Sequence, residues 1–320
     1  MRIAVLTPLV FAAAISFGAP ADAGEAPEWA YPVNASGVAS PPDDGTPLHV
    51  PDSAAAFTRS QLEAIEGPVS DWHPAEHPPM PVIVGRGRPT AVYACAYCHL
   101  PNGAGRPENA GLAGLTSGYI RQQVAEFRNG HRPGSEPRRG PQGAMIAIAR
   151  AATDREIREA ARYFASLRPV SYVKVVETST VPKTTVAGWA LKPQPGAGEP
   201  IGNRIVEVPE DFGRFENRDS RAPYIAYVPV GSILLGAELA ATGAHGRSLA
   251  CANCHGPKLK GTPNAPRLAG RSPSYLVRQL HDLRGGGRFG AATVLMRPVA
   301  ARLTDGDIVA LAAYIASRSP

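Results

Sequence analysis

Sulfur and aromatic side chains are scarce in this sequence. Its 320 residues include four cysteines and four methionines, and aromatics make up only 7%. Charged residues are also few, at 19%, and a formal net charge of +6 is too modest to define a function alone. Beyond the N-terminus, no apolar run approaches the roughly 20 residues a membrane helix needs. The scarcity does not extend to core material: 44% of residues are hydrophobic, which excludes wholesale disorder. Glycine and proline are plentiful, 33 of each. Long irregular stretches follow, which excludes a compact all-β sandwich and a helical repeat. The length suggests two domains of ordinary size.

The few cysteines decide the class. Cys95-Ala-Tyr-Cys98-His99 and Cys251-Ala-Asn-Cys254-His255 use all four, leaving none for disulfides. A C-x-x-C pair alone could bind zinc or act as a redox dithiol. The histidine that follows at once reads instead as covalent attachment of a c-type haem. Two intervening residues let both thiols add to the vinyl groups on one porphyrin edge while the histidine swings under the iron. Cys95 and Cys98 are the expected anchors of a first haem, with His99 as proximal ligand. Cys251, Cys254 and His255 are those of a second. The N-terminus agrees. Arg2, the apolar run from Ile3 to Phe17 and the small-residue site Ala21-Asp22-Ala23 read as a secretory signal peptide over residues 1–23. The mature chain is then expected to be exported and soluble, in a bacterium in the periplasm.

The chain repeats itself. Placing Cys95 on Cys251, an offset of 156, matches residues 95–130 with 251–286 at 14 of 36 positions. The matches include Leu112-Ala113-Gly114 with Leu268-Ala269-Gly270, Tyr119 with Tyr275, Gln123 with Gln279 and Arg128 with Arg284. After a five-residue contraction Met145 falls on Met296 and Thr153-Asp154 on Thr304-Asp305. Two copies of one small domain are the economical explanation.

Each copy reads as helical. Tyr275 to Leu283 puts apolar residues on one face and is stopped by Gly285-Gly286-Gly287. Thr304 and Thr153 each stand three residues before an acid, a capping-box pattern that opens the final helix of each copy. A helix is expected before the second motif, Ser232 to Ala241, with a shorter counterpart near Val82 to Val92. The resulting expectation is an all-α protein of two tandem haem domains, residues 85–168 and 231–320. An extended, proline-rich, acidic arm (24–84) lies over the first domain. A strap (169–230) joins the two, with short strands at Val173 to Glu177 and Arg204 to Val208.

Charge follows this division. Residues 24–89 carry 3 basic and 9 acidic side chains, whereas 90–168 carry 11 and 6, and 232–320 carry 11 and 4. Part of the basic excess offsets haem propionates. Together with an arginine-rich composition, this accounts for the whole excess on one reading; on the sharper reading the basic residues form a rim that docks an acidic redox partner.

Each iron needs a sixth ligand. Met145 and Met296 occupy equivalent repeat positions just before the final helix, and a thioether there completes His/Met ligation at His99 and His255. Such a ligand is soft and neutral and raises the potential. Met80 is a weak competitor for the first iron. The remaining histidines, at 49, 73, 77, 131, 245 and 281, are expected as surface imidazoles.

These residues resemble class I cytochrome c domains, and the pair resembles the diheme cytochromes c of bacterial periplasms. The likeness covers about half the chain. It is specific in Cys251-Ala-Asn-Cys254-His255-Gly256, Pro266-Arg267-Leu268-Ala269-Gly270, Met296-Arg297-Pro298 and Leu303-Thr304-Asp305. It implies that Pro266 offers its carbonyl to His255, with Ala110 standing in the corresponding place for His99. It also implies that Gly236 marks a close approach of the first and last helices of the second domain.

The function expected from this is electron carriage between redox-protein donors and acceptors through two covalently bound haem c groups, with no catalytic residues and no nucleic acid. Docking to a membrane complex is compatible with it. One rival is a permanently bound cytochrome subunit of a dehydrogenase or oxidase, motivated by the arm and strap. A second is a diheme peroxidase-like enzyme, against which the paired methionines argue.

Overall fold

The computed structural model describes residues 26–35 and 42–320, and the predicted signal peptide lies outside them. In the arm, a short helix α1 (Arg59–Glu63) opens with a capping box at Thr58. The first haem domain follows with α2 (Val82–Gly85), α3 (Cys95–His99), α4 (Ser117–Arg128), α5 (Gly140–Ala151) and α6 (Asp154–Ser166). The strap carries β1 (Val173–Glu177), β2 (Thr180–Val181), β3 (Thr184–Ala187), β4 (Ala190–Pro193), β5 (Glu199–Pro200), β6 (Val206–Pro209), α7 (Phe212–Glu216) and β7 (Tyr224–Val228). The second haem domain contains α8 (Ser232–Thr242), α9 (Ala252–His255), α10 (Pro273–Gly285), α11 (Met296–Ala300) and α12 (Asp305–Ala316).

The repeat is a structural one. Thr116 and Ser272 cap α4 and α10 by accepting from the backbone N–H groups of Tyr119 and Tyr275. Thr153 and Thr304 make complete capping boxes with Glu156 and Asp307. Arg128 donates to the carbonyls of Ala149 and Ala152 and to Asp154, and Arg284 likewise to the Leu303 carbonyl and Asp305. Both arginines therefore clasp the start of the final helix to the middle one. Each domain has its own core, one around Val84, Ala161 and Phe164, the other around Leu239, Val277, Ile308 and Ala312.

Two expectations need correction. The description all-α holds for the haem domains but not for the strap, which is a β-rich unit. β7 pairs in parallel with β1 and antiparallel with β6, in the order β1-β7-β6. Alternating burial along Tyr224 to Val228 is what holds β7 in place. The strap thus returns to where it leaves, and α6 and α8 are anchored at adjacent strands. β3 and β4 form a hairpin whose tip, Gly188-Trp189, has φ of 60° and 64°, as a type I′ turn requires.

The arm, too, does not lie wholly over the first domain. Ala30 and Tyr31 are buried in the core of the second. The Tyr31 hydroxyl donates to Asp282 at 2.9 Å. An aromatic ring with a polar tip could be buried only beside such an acceptor. The later arm, with Val50, Leu62 and Trp72, packs as a small cluster of its own. It leans on the strap through the Trp72 indole N–H, 2.7 Å from the Asn217 carbonyl. No helix among the described residues is long and apolar enough to cross a membrane.

Candidate functional site

Both C-x-x-C-H motifs form a single helical turn, α3 and α9 with its preceding Cys251. In each, the histidine ring is fixed from behind. His99 Nδ1 lies 2.8 Å from the Ala110 carbonyl, and His255 Nδ1 lies 2.8 Å from the Pro266 carbonyl. A carbonyl only accepts, so Nδ1 carries the proton and Nε2 keeps its lone pair for a metal. The contact expected for His255 is present, and it recurs at Ala110 because the acceptor is backbone and needs no particular side chain. Burial lowers the pKa of both imidazoles and favours this neutral form. Burial also pushes the Cys95 thiol up to about 12 and raises Cys98 and Cys251. Such thiols are poor thiolates, which counts against a working redox dithiol.

A cavity of about 170 Å³ opens in the first domain. Cys95, Cys98, His99 and Met145 all line it, with Ile83, Leu115, Ile120 and Phe164 as apolar wall. The structure therefore brings Met145 to the same space as its predicted proximal histidine. Met145 sits inside α5, while Met296 opens the shorter α11 and packs against the core that also receives Cys251. The five extra residues of the first copy lie in the segment that leads into the longer α5. Met80 packs against Gly85 and the first core.

The cavity's other end reaches the boundary between domains, where Arg132, Arg139 and Arg278 gather with Tyr31, Gln279 and Asp282. Arg132 donates to Gln123 Oε1 at 3.1 Å and to Gln279 Oε1 at 2.7 Å. Arg288 donates to Gln279 Oε1 at 3.1 Å and to Gln123 Oε1 at 2.7 Å. The pattern is the same with the domains exchanged, so the interface has an internal two-fold. Tyr119, Gln123, Tyr275 and Gln279, recurrent in the sequence, do meet here. Arg128 and Arg284 do not, being held by their clasps. Sequence reasoning misses the pair Arg132 and Arg288. They are equivalent at the offset of 156, two residues past Gly130 and Gly286, where the alignment shifts register.

Four arginines and four acids line the cavity, but each of the acids is held by a partner outside this arginine group. Burial brings the Arg139 guanidinium down to about 9, and its Nη2 has no partner. Arg132 and Arg278 are lowered by burial as well. Asp282 is already engaged by Tyr31 and Ser135, and Glu108 by Arg106. A group with an apolar body and anions at one edge satisfies both ends of the cavity. Haem, with its propionates, is such a group. The residues present fit it.

The other histidines are not all on the surface. His73 and His281 are buried, at 5% and 3% exposure. His73 lies 3.0 Å from Asp219, and His281 accepts from Arg284. The partners His73 and Asp219 stand 146 positions apart, beyond what local sequence encodes, whereas His281 and Arg284 are at i, i+3 spacing on one helix.

Residues 234–319 match the family model described as cytochrome c. The chain is 41% identical over 69 residues to cytochrome c-554(548) of Halomonas halodenitrificans, covering 21% of this chain and 83% of that protein. It is 27% identical over 231 residues to cytochrome c4 of Azotobacter vinelandii, covering 69% and 82%. Among solved structures it is similar to a thiosulfate dehydrogenase (TsdBA) from Marichromatium purpuratum, at 28% identity and a TM-score of 0.52. That likeness covers 74% of this chain but only 39% of the other.

Proposed function

From the premise that the chain belongs to the class I cytochrome c family, as a diheme member with two covalently bound haem c groups, we propose that it is a periplasmic one-electron carrier between redox proteins. Bound haem supplies an iron that cycles between ferric and ferrous, one electron at each site. Cys95 and Cys98 anchor the first group and Cys251 and Cys254 the second. His99 and His255 are the proximal ligands, Met145 and Met296 the distal ones. The chain's work is to hold these ligands still and to keep the sites dry, which limits reorganisation and favours the reduced state.

One observation carries the reading. Two histidines at equivalent positions are turned by equivalent backbone carbonyls, at the same 2.8 Å, so that the free nitrogen of each is presented for a metal. A methionine lining the first cavity supports a closed site rather than one open to peroxide. Redox titration of the holoprotein, following the far-red band of methionine sulfur bonded to ferric iron, tests it. Both irons are expected to show the band, and Met145→Ala to remove half of it. A band for one iron in the unmodified protein defeats the paired His/Met assignment.

A second reading is favoured by the likeness to a thiosulfate dehydrogenase structure and by the ordered arm and strap. In it the protein serves as the dedicated electron acceptor of one dehydrogenase. Co-purification as a stable complex supports this; a monodisperse monomer that accepts electrons from unrelated donors counts against it.

A further inference from the structure

The two haem motifs are repeats, yet the chain around them is not. We propose that electrons enter and leave the molecule through the second haem alone, because arm and strap together close the first haem motif to partners, and that the open port receives a redox protein with an acidic face. The inference rests on the diheme reading above and adds its direction of access.

The first motif is clamped from two sides. Arg218, at the end of the strap's short helix, donates to the Tyr97 carbonyl between the two cysteines. Its guanidinium also stacks on the Tyr97 ring at 3.8 Å. The Tyr97 hydroxyl in turn donates to the Glu63 carbonyl of the arm at 3.2 Å. Asn102, just past the motif, donates to the Ser220 carbonyl of the strap at 2.8 Å. Arm and strap are locked to each other by a buried chain: His73 to Asp219 at 3.0 Å, and Asp219 to Arg214 at 2.6 Å. With its side chain 0% exposed, Asp219 holds both partners, and Trp72 adds its bond to Asn217.

Equivalent positions in the second copy are bare. Tyr97 and Cys98 are partly covered, whereas Asn253 and Cys254 are exposed. Pro101 is buried, whereas Pro257 is exposed. Asn102 and Ala104, half-buried, correspond to the exposed Lys258 and Lys260. The turn bearing these lysines is folded back on the motif by Thr262, whose hydroxyl donates to the Cys254 carbonyl at 3.1 Å. Exposed apolar side chains lie near the same motif. Leu249 precedes Cys251 at 55% exposure, and Leu295 precedes Met296 at 82%. Arg247 and Ser248 tie the Leu249 loop to the carbonyls of Arg302 and Val299, beside α11. Exposed leucines and lysines around this motif, in a segment with 11 basic and 4 acidic residues, are complementary to an acidic rim around a partner's own cofactor.

The test uses the full-length holoprotein, its two haems first counted by pyridine haemochrome. Fewer than two would defeat the diheme reading and not the port. Reduction by an acidic flavodoxin hydroquinone is then followed by stopped flow at low salt. Lys258→Glu/Lys260→Glu is expected to slow reduction of the entire haem absorbance at least tenfold, since both haems fill through one port. Arg155→Glu/Arg158→Glu, an equal charge reversal on exposed positions of the first domain's α6, is expected to change the rate less than twofold. Half or more of the absorbance reduced at the unmodified rate in the lysine variant would mean that the first haem has its own access, and would overturn the proposal. So would equal slowing by the two variants.

Discussion

At the scale of single residues, two positions show how little room the fold leaves. A Cβ on Gly236 would stand 2.0 Å from the Ala310 carbonyl oxygen and 2.7 Å from Tyr314 Cβ. The neighbour is backbone of α12 and cannot swing away, so Gly236→Ala must part α8 from α12. A loss of about 2–4 kcal/mol is expected, seen as a lower denaturant midpoint for the holoprotein. Gly285 is the control. It is helical, and a Cβ there would meet nothing within 4 Å, so Gly285→Ala is expected to be neutral or to stabilise by up to about 1 kcal/mol. His281 gives a pH signature. It accepts from Arg284 through Nδ1 while its buried Nε2 has no partner, and burial first, then Arg284, brings its pKa down to about 4. The groups facing it include Asp282 and Asp305, which pull the other way but do not win. Because the folded value is below the unfolded one, the unfolded chain binds the extra proton. Stability tied to His281 is present above about pH 6.5 and is lost as pH falls from there to about 4. Thermal melts of the holoprotein should show this slope, on the order of 2 kcal/mol, and His281→Leu should flatten it.

At the scale of elements, legibility in the sequence follows the range of the forces. α10 and α12 are readable because their signals are local: an apolar stripe, a hydroxyl cap, a terminal glycine. The strands at Val173 and Val206 show in their β-branched residues. β2 and β5 are two residues each and exist only because they find each other across the chain, which no local pattern encodes. β7 carries a usable signal in the alternation of Tyr-Ile-Ala-Tyr-Val, which the expectation of two strands in the strap leaves out. Residues 26–35 are misplaced by sequence reasoning because their packing against the second domain is a contact over some 250 positions. The same long range governs how α10 begins. Glu207, from β6 of the strap, is buried beneath its first turn and accepts from the Ser272 hydroxyl at 2.7 Å and the Ser274 N–H at 2.9 Å. A carboxylate there satisfies otherwise orphaned donors and complements the helix dipole. Glu207→Ala is expected to cost about 2–3 kcal/mol, Glu207→Gln about half that. Amide exchange at Ser274 and Tyr275 should speed up in both, and unchanged exchange there would show that the strap does not hold this helix.

At the scale of the molecule, the two haem domains meet as copies meet in a two-fold dimer, with equivalent residues facing one another. Each glutamine oxygen at the boundary takes one donor from its own domain's arginine and one from the other's. This arrangement makes the pair of arginines cooperative in a definite sense. Removing Arg132 alone leaves both glutamine oxygens with a donor from Arg288, and it relieves the repulsion between two buried cations. Removing the second arginine leaves both oxygens, of buried Gln123 and half-buried Gln279, with no guanidinium donor, which carries a cost of stripping water from acceptors that is not repaid. The sum of the single losses must therefore fall short of the double. For Arg132→Met and Arg288→Met, the double variant is expected to lose about 1–3 kcal/mol more than the two singles together. Denaturant midpoints of the four holoproteins measure it directly. Additive losses would mean that the two guanidiniums act independently, each held within its own domain, and that the symmetry of the boundary has no energetic consequence.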